Sequence, residues 1–181
     1  NYIAVASGVL DPTSFTDATG NDFSLEVFTP AKTEPDDPTL VDLLVQHGSP
    51  DAPNVDIYLE QTGSDIPAIS DLGYPDFVGY TPIAANNEFI GIAGAGGEVL
   101  TQFSAPLADL NAEGAAITVL ASGFFNEANA TENNGFGLIA VLADGTVLTL
   151  EEFALTQSIG YANLQWPPNA DITTTETVDV Y

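Results

Sequence analysis

The feature that most constrains the fold of this chain is that its first strands recur later in the sequence. Residues 2–28, YIAVASGVLDPTSFTDATGNDFSLEVF, align without a gap on residues 117–143, ITVLASGFFNEANATENNGFGLIAVLA, at an offset of 115. The tripeptide Ala-Ser-Gly stands at 6–8 and again at 121–123. Self-similarity at a fixed offset is the sequence signature of repeated supersecondary units. We therefore expect the same structural unit to occur at least twice.

A second echo links the middle of the chain to its C-terminal part. Val-Asp-Ile-Tyr at 55–58 returns as Val-Asp-Val-Tyr at 178–181, and Gln-His at 46–47 is answered by Gln-Trp at 165–166. The corner between the two matched pieces is longer in the second copy. The later residues are therefore expected to open a further repeat.

The two echoes divide the chain into three segments. Residues 1–40 are expected to hold the closing strands of one repeat and a linker, and residues 41–156 a complete domain. Residues 157–181 supply the opening strands of a further repeat or a donor-strand tail. The linker is predicted in residues 32–40, KTEPDDPTL, which contain two prolines and no apolar residue before the last position.

Short apolar runs separated by Gly, Pro, Asn and Asp clusters occur throughout the chain, and helical periodicity is nearly absent. This pattern is typical of an all-β sandwich or barrel. The candidate strands are residues 2–10, 23–29, 41–47, 54–60, 77–84, 88–93, 98–103, 115–125, 137–142, 146–150 and 172–181. The predicted core of the complete domain comprises Leu44, Val55, Ile57, Ile90, Ile92, Val119, Leu138 and Leu142.

The charge balance excludes several classes of partner. The chain carries 26 acidic residues against one lysine, Lys32, and one histidine, His47, which gives a formal net charge of −25. Nucleic acids and anionic membranes are bound through clustered Lys or Arg, so neither is an expected partner. No apolar run approaches the roughly 20 residues of a membrane span, so membrane insertion is not expected. A composition rich in Thr, Gly, Ala and Asn and poor in Lys favours an extracellular or cell-surface location.

The corner after residue 46 carries the side chains that most resemble a catalytic set. His47, Ser49 and Asp51 stand two residues apart, but a working triad needs the histidine between serine and acid, normally from distant segments. We expect Ser49 and Asp51 to form a turn and to bond local amides. Asp56 lies inside a predicted strand, so it is expected to face solvent or to bond the amides of a neighbouring corner. We therefore expect a protein that is not an enzyme.

Calcium is the one cofactor that the sequence leaves open. The chain has no cysteine and one histidine, which disfavours zinc. Calcium needs only carboxylate, amide and carbonyl oxygens. The candidate ligands are Asp11, Asp17, Asn21 and Asp22, with Asn126, Glu127, Glu132, Asn133 and Asn134 in the repeated loop. Neither loop has EF-hand spacing, so a solvated loop is the alternative.

The same repeated loop contains a glycosylation sequon, Asn129-Ala130-Thr131. In an exported protein such a sequon is an acceptor for N-linked sugar, so Asn129 is a candidate modification site and the protein a candidate glycoprotein. The threonines between residues 173 and 177 are candidates for O-linked sugar.

Three stretches together resemble one known family: VQHGSPDAPNVDIYLE at 45–60, ISDLGYPDFVGYTPI at 69–83 and AITVLASG at 116–123. They are similar to the bacterial secreted family catalogued as domain of unknown function 4397. The resemblance implies an immunoglobulin-like β-sandwich on exported proteins, often in tandem, and it implies no reaction. The matching positions of the opening motif are His47, Ser49, Pro50, Asp51, Ala52, Pro53, Val55, Asp56 and Tyr58, with Gly48 in place of the usual alanine. The C-terminal copy departs from the pattern because Trp166, Pro167 and Pro168 replace the corner that contains histidine.

The expected function follows from the partial repeats at both ends. Each lacks strands that another segment could supply, by β-strand addition of the kind that pilin complementation uses. We expect a non-catalytic structural subunit that polymerises with itself, head to tail, into a surface filament. The alternative is an adhesive module of a cell-surface tandem-repeat protein, which binds calcium or carbohydrate through its acidic loops and through exposed aromatics such as Tyr74, Tyr80 and Trp166. The ends of one chain could also complement each other, or belong to a longer tandem array. The expected assembly residues are Ile3, Val5, Ile172, Val178, Val180 and Tyr181.

Overall fold

The computed structural model describes residues 1–16, 21–60, 66–130 and 134–153. Over these ranges the chain forms twelve β-strands, one 3-10 turn at Pro12–Ser14 and no α-helix, so the all-β prediction is confirmed. None of these residues belongs to a helix long and apolar enough to span a membrane. The strands are β1 (Ile3–Ser7), β2 (Ser24–Phe28), β3 (Leu40–His47), β4 (Val55–Leu59), β5 (Ile69–Leu72), β6 (Phe77–Ala84), β7 (Asn87–Gly94), β8 (Val99–Pro106), β9 (Ala116–Ser122), β10 (Gly137–Leu142), β11 (Val147–Thr149) and β12 (Glu151–Phe153).

Ten of these strands form two five-stranded sheets. The first sheet has the order β11-β10-β9-β3-β6 and the second the order β12-β8-β7-β4-β5. All neighbours are antiparallel except β3 and β9, which run parallel. Strands β5 and β12 were not predicted, and the candidate strand 172–181 lies outside the described residues.

The core lies between the two sheets. It is built from alternate residues of facing strands, because successive side chains of a strand point to opposite faces. Six of the eight predicted core residues belong to it, and Leu142 packs against its margin. Leu44 is fully buried but lies outside this cluster, on the opposite face of β3 from Leu43 and Val45. Its predicted burial is confirmed, but Leu44 packs outside the cluster between the two sheets.

The β1–β2 hairpin forms a third layer on the outer face of the first sheet. Phe28 of β2 packs on Phe77 and Tyr80 of β6, with ring centroids 5.5 and 5.7 Å apart. Gln46, on the outer face of β3, donates from Nε2 to the Ser7 hydroxyl at 3.3 Å. The hairpin thus covers the face to which Leu44 points.

Lys32 anchors the segment that connects the hairpin to β3. Lys32 Nζ lies 2.6 Å from a carboxylate oxygen of the buried Asp42 and 2.8 Å from one of Asp36. The backbone N–H of Lys32 also donates to the Tyr80 hydroxyl at 2.9 Å. The predicted linker contains no helix or strand before β3, in agreement with its sequence.

The β1–β2 and β9–β10 hairpins have the same pairing. Ser7 pairs with Ser24, and Ser122 pairs with Gly137. Their first strands therefore match at an offset of 115 (122 minus 7), and their second strands at 113 (137 minus 24). The second loop is two residues shorter, so the ungapped alignment is wrong over the second strand. Because the shift is an even number, every side chain keeps its predicted face.

Candidate assembly surface

The corner between β3 and β4 ties distant loops to the end of the domain. Asp51 is buried, and its Oδ1 accepts the backbone N–H of Phe125 at 2.7 Å. Its Oδ2 accepts from the N–H of Asn126 at 3.2 Å and from Asn129 Nδ2 at 2.7 Å. The Ser49 hydroxyl donates to the Gly123 carbonyl at 2.7 Å. The expected turn is present at residues 50–51, and the Ser49 hydroxyl also donates to Asp51 Oδ1 at 3.4 Å. The expectation of local backbone partners is wrong, because these partners lie at least 74 residues away in sequence.

His47 is buried at the end of β3. Its Nε2 lies 3.0 Å from the Pro53 carbonyl oxygen, which can only accept, so Nε2 carries the proton. Burial lowers the pKa of His47 below 6.5, and the bond to Pro53 and the Asp76 carboxylate oppose that shift. His47 is therefore hydrogen-bonded to the Pro53 carbonyl and Ser49 to the Gly123 carbonyl, and the two side chains do not form a catalytic pair.

Asp56, on the β4 side of the corner, also accepts hydrogen bonds from the backbone of other segments. It is buried, and its two carboxylate oxygens accept the backbone N–H groups of Asp71 at 2.7 Å and Gly96 at 2.8 Å. The solvent-facing alternative for Asp56 is wrong, and the amide-bonding alternative is confirmed.

The predicted calcium ligands of the N-terminal loop are partly engaged elsewhere. The carboxylate of Asp11 accepts the hydroxyls of Thr13 and Ser14 at 2.6 and 2.7 Å, and these bonds lower the pKa of Asp11. Asn21 donates from Nδ2 to the Pro50 carbonyl, Asp22 is exposed, and Asp17 lies outside the described residues. No three metal-ligating side chains cluster in the described parts of the chain. Calcium binding stays a prediction.

The candidate glycosylation site does not fit the fold. Asn129 is buried, and its Nδ2 donates both to Asp51 and to the Thr16 carbonyl, at 2.7 and 2.6 Å. A sugar on that nitrogen would replace one of its two hydrogens, and so break at least one of these bonds inside a buried site. The side chain instead ties the two repeated loops together, since its Oδ1 accepts the Thr16 N–H at 2.8 Å and Phe15 stacks on Phe124 nearby.

The outer face of the β1–β2 hairpin is apolar and exposed. Phe23, Leu25 and Val27 are 56%, 63% and 55% exposed. The residues that share their side of the β1–β2 ladder are uncharged and exposed as well. Six side chains make up this surface, which we call the hairpin face: Tyr2, Ala4, Ala6, Phe23, Leu25 and Val27.

Two predicted assembly residues lie on the other side of the hairpin. Ile3 and Val5 are half-buried and share the sheet-facing side with Ser7. Strand β1 uses this side to cover the first sheet, so Ile3 and Val5 are only partly exposed, and their part in assembly stays a prediction. In β2 the alternating apolar residues Phe23, Leu25 and Val27 form the exposed side, whereas the sequence of β1 does not show which of its sides faces outward. The other predicted assembly residues, Ile172, Val178, Val180 and Tyr181, lie outside the described part of the chain.

The counterpart of the hairpin face in β9 and β10 is core. At the structural offsets Ala6 corresponds to Ala121 and Leu25 to Leu138, and both counterparts are buried in the core cluster. The remaining counterparts either belong to that cluster or pack against it. They are Ile117 for Tyr2, Val119 for Ala4, Phe136 for Phe23 and Ala140 for Val27. A surface that is covered by the second sheet in one hairpin is therefore bare in the other.

A groove runs beside the second edge of β1. Among the described residues β1 pairs only with β2, so its other edge carries backbone groups that have no strand partner there. The groove has a volume of about 510 Å³ and lies between this edge and the outer face of β9 and β10. Its lining includes residues 1–5 of the hairpin, Thr118, Leu120 and Val141. An unpaired edge of this kind is a template for another strand.

Comparison with known proteins finds one matching family. The model of a family described as domain of unknown function (DUF4397) matches residues 41–134, which begin within β3 and include the corner at Asp51 and Asp56. Neither a curated protein nor a solved structure matches the chain. The matched range is 94 residues (134 minus 41 plus 1) of 181, just over half of the chain. The chain belongs to the DUF4397 family.

Proposed function

We propose that this chain is a non-catalytic, extracellular structural subunit that assembles head to tail into a filament by β-strand complementation. The observation that carries the proposal is the hairpin face, whose counterpart in β9 and β10 lies in the core. An exposed apolar surface that repeats a core pattern calls for a covering layer. We further propose that both hairpins are closing strands of the same immunoglobulin-like repeat.

The proposed covering layer is the C-terminal segment 157–181 of a neighbouring copy. This segment repeats the opening motifs of the complete domain, with Val178 to Tyr181 answering the start of β4. It would bring opening strands to a hairpin that has the form of closing strands. A contact between two different surfaces of identical subunits does not close on itself, so it propagates into a filament.

The adhesive alternative receives less support from the same residues. Of the aromatic side chains considered for carbohydrate binding, Tyr74 has a buried hydroxyl and Tyr80 accepts the N–H of Lys32. Both rings are therefore engaged within the fold, and Trp166 lies outside the described residues. Burial raises the pKa of the half-buried Tyr74, and the Glu26 carboxylate adds to that shift.

Electron microscopy of the purified chain beside a variant without residues 172–181 tests the proposed function. The full chain is expected to form filaments, and the deletion to remain soluble, because the donor segment is incomplete. Adding the intact C-terminal segment as a separate peptide should occupy the acceptor and stop filament growth in the full chain. Filaments of unchanged length from the deletion variant would refute donation by this tail.

A further inference from the structure

We infer that residues 161–166 of a neighbouring copy pair in parallel with the free edge of β1, in the place that β3 takes beside β9. This inference rests on the proposed function and specifies its acceptor. It differs from the expectation that residues 172–181 supply the strand that joins the hairpin. Those residues would instead lie across the hairpin face, where β4 lies in the complete domain.

The template is the parallel pairing of β3 with β9. Val45 lies opposite Val119 and His47 opposite Ala121 in this register. The parallel neighbour is what completes the first sheet on the side of β9 that β10 does not cover. Strand β1 has the form of β9 and lacks this neighbour among the described residues.

The sequence supplies a segment with the pattern of β3. IGYANLQW at 159–166 aligns with LVDLLVQH at 40–47, and the shared glutamines at 46 and 165 fix the offset at 119. Transferring the β3–β9 register with this offset, and with the offset of 115 between β1 and β9, sets two pairs. Leu164 then stands opposite Ala4, and Trp166 opposite Ala6.

Residues 161–166 alternate between side chains that match the hairpin face and side chains that match the groove. Ala162, Leu164 and Trp166 would extend the apolar hairpin face, because they share the side of Ala4 and Ala6. The intervening residues, Tyr161, Asn163 and Gln165, would fall on the side of the groove. There the lining mixes apolar side chains with polar ones such as Thr118. The small side chains of Ala4 and Ala6 leave room for the larger Leu164 and Trp166.

Charge favours the same segment. Residues 154–170, ALTQSIGYANLQWPPNA, contain no charged residue, in a chain with 26 acidic residues among 181. A strand without carboxylates can approach another copy of this acidic chain without adding local repulsion. The hairpin face that it would join is also uncharged.

The proposed head-to-tail assembly assigns the segment to a neighbouring copy. The last described strand, β12, belongs to the second sheet and ends at Phe153, eight residues before Tyr161, the first residue that the transferred register pairs with β1. Eight extended residues span at most about 29 Å. The hairpin lies two layers away from the second sheet, which is about 20 Å before any detour around the first sheet. Pairing with β1 of the same chain is therefore the competing arrangement, which the trapping experiment distinguishes.

Disulfide trapping in the full-length protein tests this pairing, because the natural chain contains no cysteine. Ala4→Cys in one preparation and Leu164→Cys in another are mixed under oxidising conditions and separated on a non-reducing gel. We expect covalent dimers from the mixture and a ladder of longer covalent oligomers from the double variant. Ala4→Cys mixed with Asn163→Cys is the matched control, and it should give few dimers because that residue falls on the opposite side of the strand.

The outcomes separate this inference from the proposed function. Filaments without any trapped dimer would overturn the pairing with β1 and leave the filament proposal standing. A trapped bond within single chains of the double variant, with none in the mixture, would overturn the assignment to a neighbouring copy. Equal trapping by the Asn163→Cys and Leu164→Cys variants would overturn the register. Unchanged melting temperatures of the single-cysteine variants confirm that each is folded.

Discussion

At the scale of single residues, the structure is governed by the shortage of cations. Buried carboxylates need compensation, and this chain has one lysine to offer. Lys32 forms an ion pair with the buried Asp42. Asp51 and Asp56 are instead bonded by backbone and amide N–H groups that belong to distant loops. The conspicuous acids of the corner motif therefore hold loops in place.

Replacing Asp51 by alanine should destabilise the fold by about 3 kcal/mol, because two buried backbone N–H groups and the Asn129 amide lose their acceptor. Asp109→Ala, at an exposed position, is the control and should change stability by no more than about 0.5 kcal/mol. Urea denaturation followed by circular dichroism gives both values. A loss at Asp51 as small as the control would mean that water satisfies these groups.

His47 predicts a specific dependence of stability on pH. Its pKa is lowered by burial, so below the ordinary value of 6.5 the unfolded chain binds a proton that the folded chain does not. The free energy of unfolding should therefore fall as pH drops from 7 through 6, with a slope of at most about 1.4 kcal/mol per pH unit. His47→Gln, which cannot titrate, should lack this component, while the carboxylates contribute equally to both proteins. Parallel stability curves for the two proteins would contradict the buried neutral histidine.

At the scale of elements, the alternation of apolar and polar residues predicted most strands and their faces. A strand that is buried on one side has an apolar residue at every second position. The alternation could not set the register of the second repeated strand, because the shorter loop shifts it by two residues without changing any face. Strand β5 was missed because its four residues carry only two apolar side chains, Ile69 and Leu72. The partners of Asp51 could not be predicted, because they come from a loop 74 or more residues away.

The two hairpins share a glycine that should be essential to each. Gly8 and Gly123 have positive φ angles of 84° and 87°, and a Cβ at either position would collide with a carbonyl oxygen, of Asp22 or Gly135. Substitution of either glycine by alanine should cost about 2 kcal/mol or more, from the strained backbone and the collision. Gly79→Ala is the control, since no atom lies within 4 Å of the position that its Cβ would take and its φ is not positive. Thermal melts that rank all three variants alike would contradict this account.

At the scale of the whole molecule, the described residues form two five-stranded sheets and an additional hairpin on one outer face. The inner side of that hairpin is used within the chain, through Phe28 and Ser7, and its outer side repeats a core surface without being covered by any described residue. In a strongly acidic molecule, an uncharged apolar surface is a favourable place for contact with another copy. The proposed filament follows from that asymmetry.

The most direct measurement is the mass distribution of the full chain and two matched variants in solution, by analytical ultracentrifugation. Leu25→Asp places a charge on the hairpin face, and Leu100→Asp places one on β8 at a leucine of similar exposure, 55% against 63%. Both variants should keep the melting temperature of the natural chain within a few degrees, because both side chains are exposed. We predict polymers from the natural chain and from Leu100→Asp, and monomers from Leu25→Asp. Polymers of undiminished mass from Leu25→Asp would contradict assembly through the hairpin face.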